Sequence, residues 1–146
     1  MASIKLICIS REKSGETIVL NQANIIAQQG IDGDRYCGQN TPQERQITLI
    51  ESEVIDDINR STGVSIAYEA VRRNLVTQGI RLNLLLGSEF SVGGIRLRAH
   101  ELCEPCGPLQ KRLKVTDLVK RLTHKGGLCC EVLDSGVLKV GDEISI

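Results

Sequence analysis

Apolar and polar residues alternate along "IKLICIS", Ile4 to Ser10. With its β-branched content, this run predicts a strand. "ETIVLNQANI" continues with strand-like character. The chain then changes to "QQGIDGDRYCGQNTPQE", Gln28 to Glu44, rich in Gly, Asp, Asn and Pro and almost free of apolar side chains. This reads as a long loop, and loops beyond about 12–15 residues in a compact domain are usually functional or disordered. "QITLI" is a strand. "ESEVIDDINRSTG" puts Val54, Ile55 and Ile58 on one face and closes at Gly63, which predicts a helix with Ser52 as its N-cap. "YEAVRRNLVTQG" begins helix-like and ends strand-like. From Ile80 a helical turn leads into two strands around Gly93-Gly94. "GPLQKRLKVTDLVKRLTHKGG" has helical period, with Leu109, Leu113, Leu118, Val119 and Leu122 apolar. "GLCCEVLDSGVLKVGDEISI" reads as a pair of strands turning at Asp134-Ser135-Gly136.

Short strands at close spacing, Gly/Asp turns and few helices predict a mainly β fold, a closed or partly closed β barrel with a few short peripheral helices. No internal repeat, linker or low-complexity segment breaks the pattern, so residues 1–146 read as a single domain. A chain of this size buries roughly 68–70% of its unfolded surface and needs neither metal nor disulfides to fold.

Charge and composition narrow the partners. Net charge is +0 and the pI is about 6.7, which argues against nucleic acid or a membrane surface as the main partner. Aromatic residues make up 2%, too few for base-stacking platforms. "MASIKLICIS" lacks an apolar signal core, and no apolar run reaches the roughly 18 residues of a membrane span. The expectation is a soluble, cytoplasmic protein whose six Cys are reduced. Metal binding or catalysis then becomes the sharper reading of those thiols.

The thiols of "ELCEPCGPL" are the focus. Cys103 and Cys106 form a C-x-x-C late in β-rich sequence. Either can be a small buried hydrophobe, since free Cys is often buried. A zinc site would add Cys129 and Cys130, but adjacent residues on a strand point oppositely and close a tetrahedron poorly. A thioredoxin-like dithiol would sit early in a βαβ pattern, which is absent here. Of Cys129 and Cys130, one is expected to face the core. "CGPL" can open a helix whose N-terminal N–H groups favour the Cys106 thiolate. His124 and Lys125, at a predicted helix end, read as partners of its last carbonyls.

Four pieces together resemble the MOSC domain, the family named after the C-terminal domain of molybdenum cofactor sulfurase. "GIDGDRY" (Gly30 to Tyr36) resembles the family's G-I-x-G-D-R-H loop, and "RQITLIE" (Arg45 to Glu51) its next strand. "RRNLVTQGIRLNLLLGSEFSVGGIRLRAHELCEPC" (Arg72 to Cys106) resembles the core signature ending in the family cysteine. "GGLCCEVLDSGVLKVGDEISI" resembles the closing hairpin. The resemblance implies a β barrel that binds molybdenum cofactor, with the metal held by the cofactor's dithiolene and one protein thiolate. Cys106 is the implied ligand and catalytic residue, and Cys103 its neighbour. Molybdopterin carries a phosphate, which calls for Arg forks and amide donors. By resemblance Arg72 and Asn74 lie against the pterin or its phosphate. Arg73, Arg45 and Arg35 are further candidates, against a plain reading as a solvated basic face. Asp32, Gly33 and Asp34 can equally be a turn. Tyr36 stands where many members carry His, which implies a different substrate or a carrier role.

The resemblance leaves two roles open: reductase of N-hydroxylated compounds, or carrier of sulfur or cofactor. No flavin, haem or iron–sulfur segment is visible, so a reductase needs an electron-transfer partner. The pyridoxal-phosphate desulfurase domain is also absent, so a carrier needs a sulfur-donor protein.

Overall fold

The computed structural model describes residues 2–12, 15–103 and 124–146. Eleven strands are present among them: β1 (Ser3–Ser10), β2 (Thr17–Leu20), β3 (Gln22–Ile26), β4 (Gly30–Ile31), β5 (Ile47–Glu51), β6 (Leu75–Gln78), β7 (Glu89–Val92), β8 (Ile95–Leu102), β9 (Leu128–Val132), β10 (Gly136–Lys139) and β11 (Ile144–Ser145). One α-helix, α1 (Ser52–Thr62), is described, with 3-10 turns at Gln43–Arg45, Tyr68–Val71 and Leu82–Leu85. The fold is mainly β, as expected.

Eight strands form one sheet in the order β11-β7-β8-β9-β5-β6-β1-β2. The sheet curls until its ends meet. Ser3 bridges Glu143, the Ile144 N–H donates to the Ala2 carbonyl at 3.0 Å, and the Ile4 N–H donates to the Asp142 carbonyl at 3.0 Å. This is a partly closed barrel. A smaller sheet, β10-β3-β4, packs Ala23, Ile25, Ile31 and Leu138 onto the same core.

Strand alternation decides what each face carries. Ile7 and Ile9 of β1, Ile47 and Leu49 of β5, Leu75 of β6, and Leu128, Cys130 and Val132 of β9 belong to the barrel core. The opposite face of the same strands splits into zones. Ile50 and Val76 join Ile55 and Ile58 of α1 in a second apolar cluster. This burial on both faces explains why "ITLI" reads as a nearly continuous apolar run. β5 and β6 are parallel, a pairing that requires a crossover, and α1 lies within it.

Three expectations are corrected. Ser52 does not cap α1: β5 runs directly into the helix, so Glu51, in extended conformation, occupies the N-cap without a side-chain bond. The helix does end at Gly63 as expected, whose left-handed backbone (φ 75°) lets its N–H reach the Asn59 carbonyl at 2.9 Å. Second, the stretch Gln28 to Glu44 is not wholly loop. It contains β4, and Ile31, its single large apolar residue besides Tyr36, is completely buried. Third, β9 and β10 do not pair with each other. β9 lies between β5 and β8, whereas β10 crosses to β3. Asp134, at the turn between them, is instead bound by the Arg96 backbone N–H and guanidinium. Most of the predicted helix "GPLQKRLKVTDLVKRLTHKGG", and Cys106, lie outside the described residues. Among the described residues, no helix is long and apolar enough to cross a membrane.

Candidate functional site

Beside the α1 cluster, on the face opposite the barrel core, five neighbouring strands or their ends present small and polar side chains. These are Cys8 of β1, Asn74 before β6, Thr48 of β5, Cys129 of β9, and Glu101 and Cys103 at the end of β8. The register sets them in line, with Thr48 opposite Cys129 and Cys129 opposite Glu101. They floor a cavity of about 550 Å³.

The floor is tied together by Asn74. Its Oδ1 accepts from the Thr48 N–H at 3.0 Å and the Thr48 hydroxyl at 3.1 Å. Its Nδ2 donates to the Cys8 carbonyl at 3.2 Å, and its backbone N–H donates to Thr48 Oγ1 at 3.0 Å. Asn74 therefore lines the cavity, yet most of its amide capacity is spent on the framework.

The roof is the "GIDGDRY" loop. Asp34 Oδ1 accepts the Ser10 N–H at 3.0 Å, and the Arg35 N–H donates to the Ser10 carbonyl at 2.8 Å. Asp34 is thus more than a turn residue; it pins the loop to the end of β1. Gly30 makes the loop possible. Its φ is +126°, and a Cβ there would sit 2.5 Å from the Gln46 carbonyl oxygen.

Four arginines converge on this cavity: Arg35, Arg45, Arg72 and Arg73. With Asn74, every cofactor-binding candidate read from the sequence lies in its lining. Arg35 stacks on the Tyr36 ring at 4.5 Å, and its buried Nε has no hydrogen-bond partner. Arg45 pairs with Glu101 at 3.0 Å, in an exposed geometry that contributes little to stability. Arg72 donates to Ser10 Oγ at 3.3 Å and to the Glu12 carbonyl at 3.0 Å. Its left-handed backbone (φ 59°) is costly for a residue with a Cβ, a kind of strain that clusters at functional sites. Arg73 donates to the Gly126 carbonyl at 2.9 Å. Among the described residues, four guanidinium groups against the carboxylates of Asp34 and Glu101 leave an excess of positive charge on the walls. Such a wall attracts an anion and binds phosphate oxygens through forked donors.

The sulfurs differ from expectation. Cys103 and Cys129 are joined in a disulfide, their Cα atoms 5.6 Å apart, so these two are not the reduced thiols expected. The resemblance made Cys103 a neighbour of Cys106 and gave it no partner on β9. The ladder instead brings Cys103 beside β9, where its N–H donates to the Gly127 carbonyl at 2.8 Å. Gly127 itself lies tight against β5, where any side chain would run into the Leu49 carbonyl. Cys130 faces the core, completely buried, and burial pushes its thiol far up. Among the described residues no group of three or more His, Cys, Asp and Glu side chains is placed to hold a metal, so the four-thiol zinc arrangement finds no support there.

Cys8, Thr48, Glu101 and Cys129 are cavity residues that the sequence reading did not select. Cys8 lay hidden inside an ordinary alternating strand. Its Sγ donates to the Arg73 carbonyl at 2.8 Å. Burial, reinforced by Glu69 and Asp34 and opposed by Arg72, pushes its thiol up to about 12. His124 and Lys125 are outside the cavity lining; the His124 carbonyl accepts from Asn83 Nδ2 at 2.7 Å. A larger groove of about 1040 Å³ runs along α1 and holds Lys125, but there Glu51, Glu53 and Asp57 balance Arg60, Arg81 and Lys125. Among the described residues it has no comparable charge excess.

The chain is similar in structure to the YuaD protein of Bacillus subtilis, with a TM-score of 0.83 at 22% identity, covering 99% of this chain and 94% of that one. It is similar to YiiM from Geobacillus stearothermophilus, with a TM-score of 0.78 at 18% identity, over 99% and 74% of the two chains. For YiiM from Escherichia coli the TM-score is 0.75 at 16% identity, over 98% and 68%. At these identities the likeness establishes the fold. A search among curated proteins finds no match. The sequence matches the MOSC domain over residues 27–145, a span that holds the roof loop, all four arginines and the disulfide. The chain therefore belongs to the MOSC domain family, which is associated with molybdenum cofactor binding.

Proposed function

We propose that the protein binds molybdenum cofactor in the arginine-lined cavity, with Cys106 supplying the protein thiolate. The observation that carries this reading is the convergence of Arg35, Arg45, Arg72 and Arg73 on one cavity whose wall includes Cys103. Cys106 follows Cys103 by three residues in the sequence and itself lies outside the described residues.

The donor set suits the group. Arg35 keeps a buried Nε without a partner, a donor whose desolvation an anionic oxygen would offset. The guanidinium groups hold the anionic tail, and the Asn74–Thr48 hydrogen bonds keep the floor rigid beneath it. Thiolate is a good ligand for such a metal, and Cys106 would supply it once deprotonated. When bound, the cofactor supplies a redox-active metal centre.

With that centre the protein acts as a reductase of N-hydroxylated compounds, drawing electrons from a separate electron-transfer protein, or as a carrier receiving sulfur from a donor protein. Both roles use the same site, in the cytoplasm. The test is expression in a host that makes the cofactor, followed by elemental analysis and pterin fluorescence. Wild type should carry molybdenum and pterin together. Cys106→Ala should lose most of the metal, and Arg35→Ala with Arg45→Ala should lose the pterin. Unchanged molybdenum in Cys106→Ala would defeat the reading. Turnover of an N-hydroxylated base with purified redox partners separates enzyme from carrier.

A further inference from the structure

We propose that the Cys103–Cys129 disulfide is a thiol-exchange site served by the cavity, and that its substrates are small anionic thiols. The inference is independent of molybdenum cofactor.

Three observations carry it. First, both half-cystines line the cavity and neither belongs to the apolar core cluster. Their exposures of 6% and 7% are small but not zero, whereas Leu128 and Cys130, flanking Cys129 on β9, are at 0%. The cavity is therefore the route by which a reagent reaches this bond. Second, the same walls carry Arg35, Arg45, Arg72 and Arg73. Exchange begins with attack by a thiolate anion and expels another thiolate. Positive surroundings concentrate the first and stabilise the second. Third, Cys8, the free thiol in this wall among the described residues, is disarmed: it donates its proton to the Arg73 carbonyl at 2.8 Å. Cys8 therefore does not compete with an incoming thiol for the bond.

The step balances. A thiolate RS⁻ attacks one cysteine sulfur, the S–S bond breaks, and the other cysteine leaves as thiolate. A second RS⁻ attacks the RS sulfur of the mixed disulfide, releasing RSSR and the second cysteine thiolate. Two RSH are oxidised by two electrons, the protein disulfide takes up those electrons, and the two protons end on Cys103 and Cys129.

Cleavage need not unravel the barrel. The β8–β9 ladder pairs Leu97 through Leu102 with Val132 through Leu128, and the Cys103 N–H remains bound to the Gly127 carbonyl. In the reducing compartment proposed above, disulfides that do form are usually catalytic or redox-sensing rather than structural.

The experiment uses the purified full chain, free of cofactor, oxidised in air. Peptide mapping without reductant should find Cys103 joined to Cys129. The exchange rate is then measured with glutathione, which is anionic, and with cysteamine, which is cationic, each divided by its rate on a small soluble disulfide. Glutathione should be favoured by about tenfold or more at low salt, the preference shrinking as salt screens the walls. Arg45→Gln should reduce the preference. Cys129→Ser, treated with oxidised glutathione, should accumulate glutathione on Cys103, releasing one reduced glutathione for each one bound. The wild-type salt series needs no variant, so it still decides the matter if Cys129→Ser fails to fold. A disulfide mapped to Cys103 and Cys106, or equal rates for the two thiols at low salt, overturns the proposal. Neither result bears on molybdenum content, so this inference and the cofactor reading fail separately.

Discussion

Asn74 and Thr48 close a reciprocal pair across the floor of the cavity: the Asn74 N–H donates to the Thr48 hydroxyl oxygen, and that hydroxyl donates to Asn74 Oδ1. The Asn74 amide continues to the Cys8 carbonyl, so one side chain ties β5 to β1 across the start of β6. Asn74→Ala should cost about 2–4 kcal/mol, because the Thr48 N–H and the Cys8 carbonyl lose their partner in a buried place. Denaturant unfolding measures it. A loss below about 0.5 kcal/mol would mean water replaces the clamp.

The arginine wall predicts an ionic-strength signature. Inorganic pyrophosphate, used as a probe of the cavity, should bind more weakly as salt rises. Arg35→Ala and Arg45→Ala should each weaken it several-fold, and Arg60→Ala, on α1, should not. Calorimetric titration checks this. Equal effects at all three positions would assign the binding to diffuse surface charge.

Cys8 should resist alkylation. With its thiol held near 12, roughly one molecule in 10⁵ is thiolate at neutral pH. Iodoacetamide mapped by mass spectrometry should leave Cys8 unmodified in the folded protein and label it after denaturation. Because its folded value lies above the ordinary 9.0, its contribution to stability is complete below pH 9 and is lost as pH rises toward 12. Rapid labelling at neutral pH would mean the Arg73 carbonyl does not hold this proton.

Glu131 should govern part of the acid limb. Burial pushes its carboxyl up, but hydrogen bonds from His100 (2.8 Å), Gln28 (2.9 Å) and Gln43 (2.8 Å) outweigh that and hold it below the ordinary 4.5. The sign follows. This stability is present above about pH 4.5 and lost as pH falls through the lower folded value. Glu131→Gln should flatten the fall in stability below pH 4.5 and lower stability at neutral pH by about 1–3 kcal/mol. Unfolding curves from acid to neutral pH measure both; an unchanged acid slope would exclude Glu131 as its source.

Gly127 should tolerate no side chain. Its φ is +102°, and a Cβ would collide with the Leu49 carbonyl. Gly127→Ala should destabilise by more than about 3 kcal/mol or prevent folding, whereas Gly63→Ala, with nothing within 4 Å of the new Cβ, should cost only about 1 kcal/mol of backbone strain. Thermal unfolding of the two variants compares them.

Much of the architecture was legible because local patterning and burial agree. Alternation in "IKLICIS" marks a strand whose Ile7 and Ile9 enter the core, and the period of "ESEVIDDINRSTG" marks the helix whose Ile55 and Ile58 meet Ile50. The arginines were legible as forked donors close to one another along the chain, Arg72 with Arg73. The hidden features are non-local. Cys8 sits in an ordinary strand pattern, and nothing in the spacing of Cys103 and Cys129, 26 residues apart, says that they meet.

The amino-acid order alone determined the mainly β character, the turn chemistry and the residue types suited to an anion, because these depend on side-chain identity within a few positions. Only the folded chain decided that Arg35, Arg45, Arg72 and Arg73 share one wall and that a disulfide joins β9 to the end of β8. Strand order and register bring together residues far apart in sequence, and the closing of the barrel that sets them is a property of the whole chain's packing.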